Sequence, residues 1–204
     1  MRARARAGFE PGALRRWIPA GAAIAILLGA VAVVLGRELI APAPREPPAP
    51  AANAFVRFRD AAGGISISYP ARWRRVVPRD PEVRLLAQGE GSSMLVRTAD
   101  LGVEIGPENL GVAKRLTDKF VRAAGQAKLL RQPQRVTLGG LPGYLYLYTF
   151  SSAATGQRGA HAHYFLFRGQ TLITLVFQTE PAERLARLAP LFDRLAETLR
   201  PTAG

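Results

Sequence analysis

Two histidines, His161 and His163, are the side chains in this 204-residue chain whose type and spacing best suit metal chemistry. The alternating pattern around them predicts a strand, and residues two apart on a strand point to the same face. A catalytic metal site needs a third protein ligand, but the sequence contains no cysteine and no other histidine. We therefore interpret the pair as partly exposed sheet histidines and expect no metal and no cofactor. A hydrolase or metal-dependent enzyme that uses this strand is the alternative.

The segment from Gly64 to Ser68 resembles the Gly-x-Ser-x-Gly turn that presents the nucleophile in many hydrolases. That turn needs a second glycine and a sharp change from strand to helix. Here two serines alternate with isoleucines, and the segment runs into Pro70. Such alternation predicts a strand with one buried face and one solvated face. Because no complete set of catalytic residues is found, the sequence predicts a protein without catalytic activity.

Three tyrosines, Tyr144, Tyr146 and Tyr148, alternate with Leu145 and Leu147 in another predicted strand. A strand that is apolar on both faces is usually central in its sheet and covered on both sides. A row of aromatic side chains can also form the floor of a shallow ligand site, with the hydroxyl groups reaching water. Core lining and ligand surface therefore both remain open for this stripe.

The chain is strongly basic, with 28 Lys and Arg against 15 Asp and Glu and a net charge of +13. Three of the arginines, Arg72, Arg74 and Arg75, cluster around Trp73. A basic surface attracts anionic lipid headgroups, acidic envelope polymers or an acidic protein. We predict a partner of one of these kinds, and the cluster is a candidate surface for it.

Residues 17–36 form an uncharged apolar run that predicts a single transmembrane helix. At about 1.5 Å per residue this helix spans about 30 Å, the thickness of the hydrocarbon layer. Residues 1–16 carry five arginines against one glutamate, and the more basic flank of a membrane helix stays in the cytoplasm. The sequence thus predicts a single-pass protein of the cytoplasmic membrane whose larger part is extracytoplasmic, away from nucleic acid. A cleaved signal peptide is the alternative.

Within this run, Gly21, Ala25 and Gly29 recur at intervals of four residues. Small residues at that spacing share one helix face and let two transmembrane helices approach closely. The pattern is compatible with a homodimer formed through this helix.

Beyond the apolar run, composition divides the chain into a stalk, a domain and a short tail. Residues 37–53 are rich in Pro and Ala and predict an extended spacer, residues 54–200 alternate strand and helix patterns, and residues 201–204 form the tail. Within the domain, hairpins are predicted over 83–98 and around 168–170, and helices over 109–124 and after Thr179. We expect an α+β fold in which helices pack on an antiparallel sheet.

The segment from Gly64 to Pro70, followed by Trp73, resembles the opening of PsbP-like domains, a superfamily that includes PsbP of photosystem II and the bacterial envelope lipoprotein DcrB. The later helix, the turn over 138–143 and the C-terminal helix follow in the order that family uses, so the likeness extends from Phe55 to Leu199. The resemblance implies an α/β/α sandwich that binds or stabilises partners and is not generally catalytic. The chain departs from the family in lacking a lipidation cysteine, and nothing in it indicates photosynthesis.

The function expected from these observations is a membrane-anchored, extracytoplasmic module that binds a partner or supports assembly in the cell envelope. A basic domain that binds anionic lipid headgroups or acidic envelope polymers is the first alternative. The enzyme that uses the His161 and His163 strand is the second.

Overall fold

A computed structural model describes residues 54–123, 126–152 and 155–202. The predicted cytoplasmic tail (1–16), transmembrane helix (17–36) and stalk (37–53) lie outside the described residues, as does the helix contact through Gly21, Ala25 and Gly29. Within the described ranges, no helix combines the length and apolarity needed to cross a bilayer.

Seven strands form the larger of two sheets, and every neighbouring pair is antiparallel. They run in the order β3-β4-β5-β9-β8-β6, and β7 pairs with β8 next to β6. Both ends of this order are strands of only two residues. The bounds are β3 (Arg74–Arg75), β4 (Val83–Gly89), β5 (Ser92–Ile105), β6 (Lys128–Leu129), β7 (Gln134–Leu138), β8 (Leu141–Ser151) and β9 (Arg158–Thr179).

The longest extended segment, β9, folds back on itself near its middle. Its first half pairs with β8 and its second half with β5. The rings of Tyr164 and Phe177 lie 6.3 Å apart, although a straight strand would separate these residues by about 40 Å. The chain reverses at Gly169, which has a φ of 56°, a conformation that glycine adopts without strain. The predicted hairpin around 168–170 is therefore present inside β9.

The smaller sheet contains three antiparallel strands, β1 (Phe55–Asp60), β2 (Ile65–Pro70) and β10 (Arg200–Pro201), with β2 in the centre. Ile65 and Ile67 are fully buried, because they form the inner face of β2 against the core. Ser66 and Ser68 alternate with them on the outer face. Ser66 is 1% exposed and Ser68 is half-buried, so the prediction that this face is solvated is wrong for Ser66. The strand predicted for this segment is confirmed, and it contains no nucleophile turn.

Two helices pack on opposite faces of the large sheet. The first, α1 (Leu110–Ala123), packs on a cluster that contains Tyr144 and Tyr146, whereas the second, α2 (Arg184–Ala196), packs with Leu145 from the other face of β8. The helix α2 contains Pro190 and continues through it. The expectation of an α+β fold with helices on an antiparallel sheet is thereby confirmed.

The buried face of α1 is rotated from the one that its apolar residues predict. Leu116 and Phe120 continue the apolar stripe that Leu110 and Ala113 begin but are only partly buried, whereas Thr117 and Val121 are buried. Thr117 makes a polar contact on this face, since its hydroxyl lies 2.7 Å from the hydroxyl of Tyr146. A hydrogen bond inside the core thus joins the buried face of the helix to the sheet.

Candidate functional site

The tyrosine stripe of β8 lies beneath α1 and lines the core. Tyr144 is 8% exposed and Tyr146 is 1% exposed, so neither forms the floor of a ligand site. The Tyr144 hydroxyl donates to the carbonyl of Leu110 at 3.2 Å, and the Tyr146 hydroxyl donates to Asp118 at 2.7 Å. Of the two interpretations of the stripe, core lining is therefore correct for these residues and the ligand surface is wrong.

The carboxylate of Asp118 is the acidic end of this contact between α1 and β8. Lys114, one turn earlier, forms an ion pair with it at 2.9 Å. Burial acts to raise the pKa of Asp118, but hydrogen bonds from Lys114 and Tyr146 outweigh burial, so the pKa lies below its usual value. Burial raises the pKa of Tyr146, and the neighbouring Asp118 carboxylate adds to that shift. Across the neutral range Asp118 therefore stays ionised and Tyr146 stays protonated, so the hydrogen bond that holds α1 on the sheet does not change.

The third tyrosine, Tyr148, joins the two histidines in a tyrosine–histidine chain, here meaning Tyr148, His161, His163, Gln178 and Glu180. The Tyr148 hydroxyl lies 3.0 Å from Nδ1 of His161 and 3.0 Å from Nδ1 of His163. Nε2 of His161 lies 2.9 Å from Oε1 of Gln178, whose Nε2 donates to Glu180 at 2.9 Å. Three strand segments, β8 and the two halves of β9, thus meet in one hydrogen-bonded row that ends at Glu180, the residue after β9.

The glutamate end of the row fixes the direction of every hydrogen bond in it. A carboxylate oxygen of Glu180 accepts from the Gln178 amide nitrogen, so the Gln178 carbonyl oxygen must accept from Nε2–H of His161. Nδ1 of a neutral His161 then accepts a hydrogen bond from the Tyr148 hydroxyl. The Tyr148 oxygen in turn accepts a hydrogen bond from Nδ1–H of His163. This order leaves Nε2 of His163 without a proton, and that buried atom makes no hydrogen bond within the described residues.

Both histidines are kept neutral by their surroundings. Burial lowers the pKa of His161 to about 4, although the hydrogen bond to Gln178 opposes this shift. Burial also lowers the pKa of His163 well below its usual value, and the neighbouring His161 adds to the effect. His161 is 1% exposed and His163 is half-buried, so the prediction of partly exposed histidines is wrong for His161.

The arrangement of the two histidines does not resemble the metal site that their spacing suggested. The two histidines do share one face, because the His163 ring stacks on Phe165 at 3.9 Å and the two imidazole rings lie 6.5 Å apart. Both ring nitrogens of His161, however, are engaged in hydrogen bonds. In the described part of the chain, no group of three His, Asp or Glu residues is arranged to hold a metal ion.

The cluster around Trp73 is divided between the core and the surface. Trp73 is 5% exposed and packs against Gly89, so it is not available to a partner, and its assignment to a partner surface is wrong. Arg72 pairs with Glu90 at 3.2 Å, and the Arg75 guanidinium lies over the Phe58 ring at 4.9 Å. Arg74 is exposed on the edge strand β3. The three arginines are thus spread over different contacts and do not converge.

A different group of arginines does converge, on the outer face of the small sheet. Arg57 of β1 pairs in register with Ser68 of β2, and Arg200 of β10 pairs with Ser66. Cross-strand partners share a face of an antiparallel sheet, so both arginines belong with the serines. Arg194, in the last turn of α2, completes the group.

These residues line a surface cavity of about 430 Å³, named the arginine cavity below. Arg57, Arg194 and Arg200 are exposed, and within the part of the chain that the structure describes none of them forms a salt bridge. Sequence reasoning missed this cavity, although the serine face of β2 and Arg57 in alternation on β1 were a signal for half of it. Its lining consists of Arg57, Ser68, Arg194, Glu197, Thr198 and Arg200.

No protein-family model and no curated protein sequence matches the chain. Among solved structures, the chain is similar to the solution structure of cyanobacterial PsbP (CyanoP) from Synechocystis sp. PCC 6803, with 18% identity, coverage of 79% of this chain and 99% of that one, and a TM-score of 0.53. It is also similar to a crystal structure from Bacteroides thetaiotaomicron, with 10% identity, coverage of 72% of this chain and 48% of that chain, and a TM-score of 0.50. The Saccharomyces cerevisiae Ran-binding protein Mog1p matches with 11% identity, coverage of 72% of this chain and 95% of that chain, and a TM-score of 0.49.

The likeness to cyanobacterial PsbP confirms the predicted resemblance at the level of the fold. The described residues form a PsbP-like α+β domain. The membrane anchor predicted in front of that domain belongs to residues that the structure does not describe. At these identities the likeness concerns fold, and function has to be argued from the site.

Proposed function

We propose that this protein is a membrane-anchored, extracytoplasmic module that binds an acidic partner or supports its assembly in the cell envelope, without catalysis of its own. The anchor and its orientation come from the apolar run over 17–36 and the arginine-rich residues before it. The domain itself is basic, with 21 Lys and Arg against 12 Asp and Glu from residue 54 onward. A basic domain outside the membrane draws acidic partners towards it.

The observation that carries the proposal is where the reactive and charged side chains lie. His161 and Tyr148 bond to each other in the interior, out of reach of a substrate. The arginines of the arginine cavity are exposed and form no salt bridge among the described residues. Groups that bond only inside the domain support its fold, whereas unpaired cations at an open cavity are available to another molecule.

A capture experiment with the full-length protein tests this function. Tagged protein is recovered from detergent-solubilised membranes of the source cell at low and high salt, and bound proteins and polymers are identified. We expect a specific acidic partner whose capture weakens when Arg57, Arg194 and Arg200 are all replaced by Gln. Replacement of three exposed arginines elsewhere, Arg79, Arg115 and Arg135, is the charge-matched control.

Two results would overturn the proposal. One is capture that both triple variants reduce equally, because net charge alone would then explain it. The other is a cytoplasmic signal from a reporter fused after Gly204, because the domain would then lie on the other side of the membrane from any envelope partner.

A further inference from the structure

We propose that the arginine cavity is a binding site for a phosphate group. The inference rests on the proposed function, because it names the chemistry of the ligand that the module binds. Two strands of the small sheet and the C-terminal end of α2 bring the site together from residues far apart in the chain. The volume of about 430 Å³ falls in the range of small-molecule sites and leaves room for the group to which the phosphate is attached.

Two of the three guanidinium groups are held in place by hydrogen bonds to uncharged acceptors. Nη2 of Arg57 donates to the Ser66 hydroxyl at 3.1 Å. Nη1 of Arg200 donates to the carbonyls of Glu197 and Leu199 at 2.6 and 2.7 Å. These bonds leave the charge of both groups uncompensated and leave further N–H donors free. An arginine that is oriented in advance loses less conformational freedom when it binds an anion.

Three arginines that line one cavity distinguish this group from the other cations of the domain. Among the described residues, Arg72, Arg84, Arg97 and Lys114 face a carboxylate, whereas most of the other cations are scattered singly over the surface. Among the described residues, the three arginines of the cavity form no such pair, although Glu197 is also part of the lining. The lining therefore carries three positive charges and one negative charge.

A phosphate group suits this lining better than a carboxylate or a chloride ion does. A phosphate monoester carries about 1.5 to 2 negative charges at neutral pH, close to the excess of positive charge in the lining. Its oxygens accept the paired N–H donors of a guanidinium. The Ser68 hydroxyl supplies an additional donor at the cavity wall. The Thr198 hydroxyl is already engaged, since it accepts from the Ser68 amide at 2.8 Å and donates to the Leu195 carbonyl at 2.6 Å. Thr198 therefore fixes the wall to the end of α2.

Equilibrium dialysis with radiolabelled inorganic phosphate tests the site directly. The full-length protein is kept in micelles of a maltoside detergent, which holds no phosphate, at constant ionic strength in chloride. We expect saturable binding of one phosphate per chain. The Arg57→Gln, Arg194→Gln, Arg200→Gln variant should weaken it at least tenfold, whereas the Arg79→Gln, Arg115→Gln, Arg135→Gln control should stay within twofold.

Two further variants separate charge from geometry. Replacement of the three cavity arginines by Lys retains the charge but removes the paired donors, so binding should fall by an intermediate factor. Glu197→Gln removes the only negative charge of the lining and should strengthen binding severalfold. Circular dichroism of each variant establishes that it is folded. Non-saturable binding, or equal losses in the cavity variant and its control, would overturn the inference.

Competition identifies the source of the phosphate. Glycerol 3-phosphate represents soluble phosphate monoesters, and glycerophosphoglycerol represents the diester headgroup of an anionic lipid. Displacement by the monoester alone assigns the site to a soluble ligand, and displacement by the diester as well admits a lipid headgroup. If phosphate does not bind but the acidic partner is still captured through the same arginines, the inference is wrong and the proposed function stands.

Discussion

The domain contains two clusters of polar side chains, and they differ in whether other groups of the domain pair with them. In the tyrosine–histidine chain, His161 is buried and its two ring nitrogens bond to Tyr148 and Gln178. In the arginine cavity, three exposed cations have no acidic partner among the described residues. Polar groups inside a protein must find partners within it, whereas polar groups at the surface bond to water until a ligand replaces it. The first cluster should therefore govern stability and the second should govern binding.

Acid provides the largest test of this contrast. The folded-state pKa of His161 is about 4 and that of His163 also lies below its ordinary value of 6.5, so the unfolded chain binds more protons between these limits. Stability should be complete above pH 6.5 and fall as the pH decreases towards 4. His161 alone should account for about 3 kcal/mol of the free energy of unfolding. Urea denaturation between pH 4.5 and 7.5 measures the effect.

The His161→Gln variant is the control for this measurement, because it removes the part of the pH dependence that His161 contributes and leaves only the part that His163 contributes. Asp118 does not confuse the result, since its lowered pKa means that its contribution is lost only below 3.8. A flat stability curve for the unaltered protein would contradict the buried, neutral histidines.

Removal of one hydroxyl from the tyrosine–histidine chain should give the next largest effect. Tyr148→Phe leaves Nδ1 of both His161 and His163 without its partner, and a buried polar group without a partner costs about 1–3 kcal/mol. We expect a loss of about 2 kcal/mol in the free energy of unfolding. Tyr144→Phe is the matched control, because it removes a single bond to a backbone carbonyl and should cost about 1 kcal/mol. Equal losses would show that Tyr148 does not link the histidines.

A smaller effect is expected at the surface, where Arg75 lies over the Phe58 ring. Arg75→Gln removes this cation–π contact, which at an exposed site contributes about 0.5–1 kcal/mol. Arg74→Gln, on the same two-residue strand and exposed, serves as the control and should change stability by less. Thermal denaturation of both variants compares them, and a larger loss for Arg74→Gln would contradict the contact.

The smallest effect on stability should come from Arg194 of the arginine cavity. Arg194→Gln should change the free energy of unfolding by no more than about 0.5 kcal/mol, as is usual for surface residues. Arg57→Gln and Arg200→Gln also remove hydrogen bonds and should each cost about 1 kcal/mol. The same replacements should nevertheless abolish most ligand binding. Parallel urea denaturation and phosphate dialysis on the triple variant measure both quantities. A loss well above the sum of these values would place these arginines with the structural cluster and remove the contrast.

Local patterns predicted the elements of the fold and the faces of its strands. The alternation of Ser66 and Ser68 with isoleucines gave β2 its inner and outer faces, and the glycine at 169 marked the reversal in β9. Patterns of this kind depend on neighbours within a few residues, so the sequence alone contains them. The same is true of the apolar periodicity that predicted both helices.

The burial of His161 and the arginine cavity could not be predicted from the sequence, because both depend on how the strands pair with one another. The depth of His161 depends on the pairing of β8 with β9, which brings Tyr148 and Gln178 to its two nitrogens. The arginine cavity depends on β10 pairing with β2, which joins residues more than 130 positions apart. A net charge counts every arginine equally. It does not distinguish Arg72, which has a carboxylate partner, from Arg194, which has none among the residues that the structure describes.

The short strands at both ends of the large sheet have a consequence for how copies of this domain behave when they are crowded together. An exposed sheet edge is a template on which another chain can add a strand, and long apolar edges lead to aggregation. Here β3 and β6 offer only two residues each, and Arg74, Arg75 and Lys128 place charge on them. On the β6 side, the five-residue strand β7 forms the rest of the edge, and Arg135 places charge on it as well. Molecules held at high density on one surface would therefore resist joining into a continuous sheet and remain separate units.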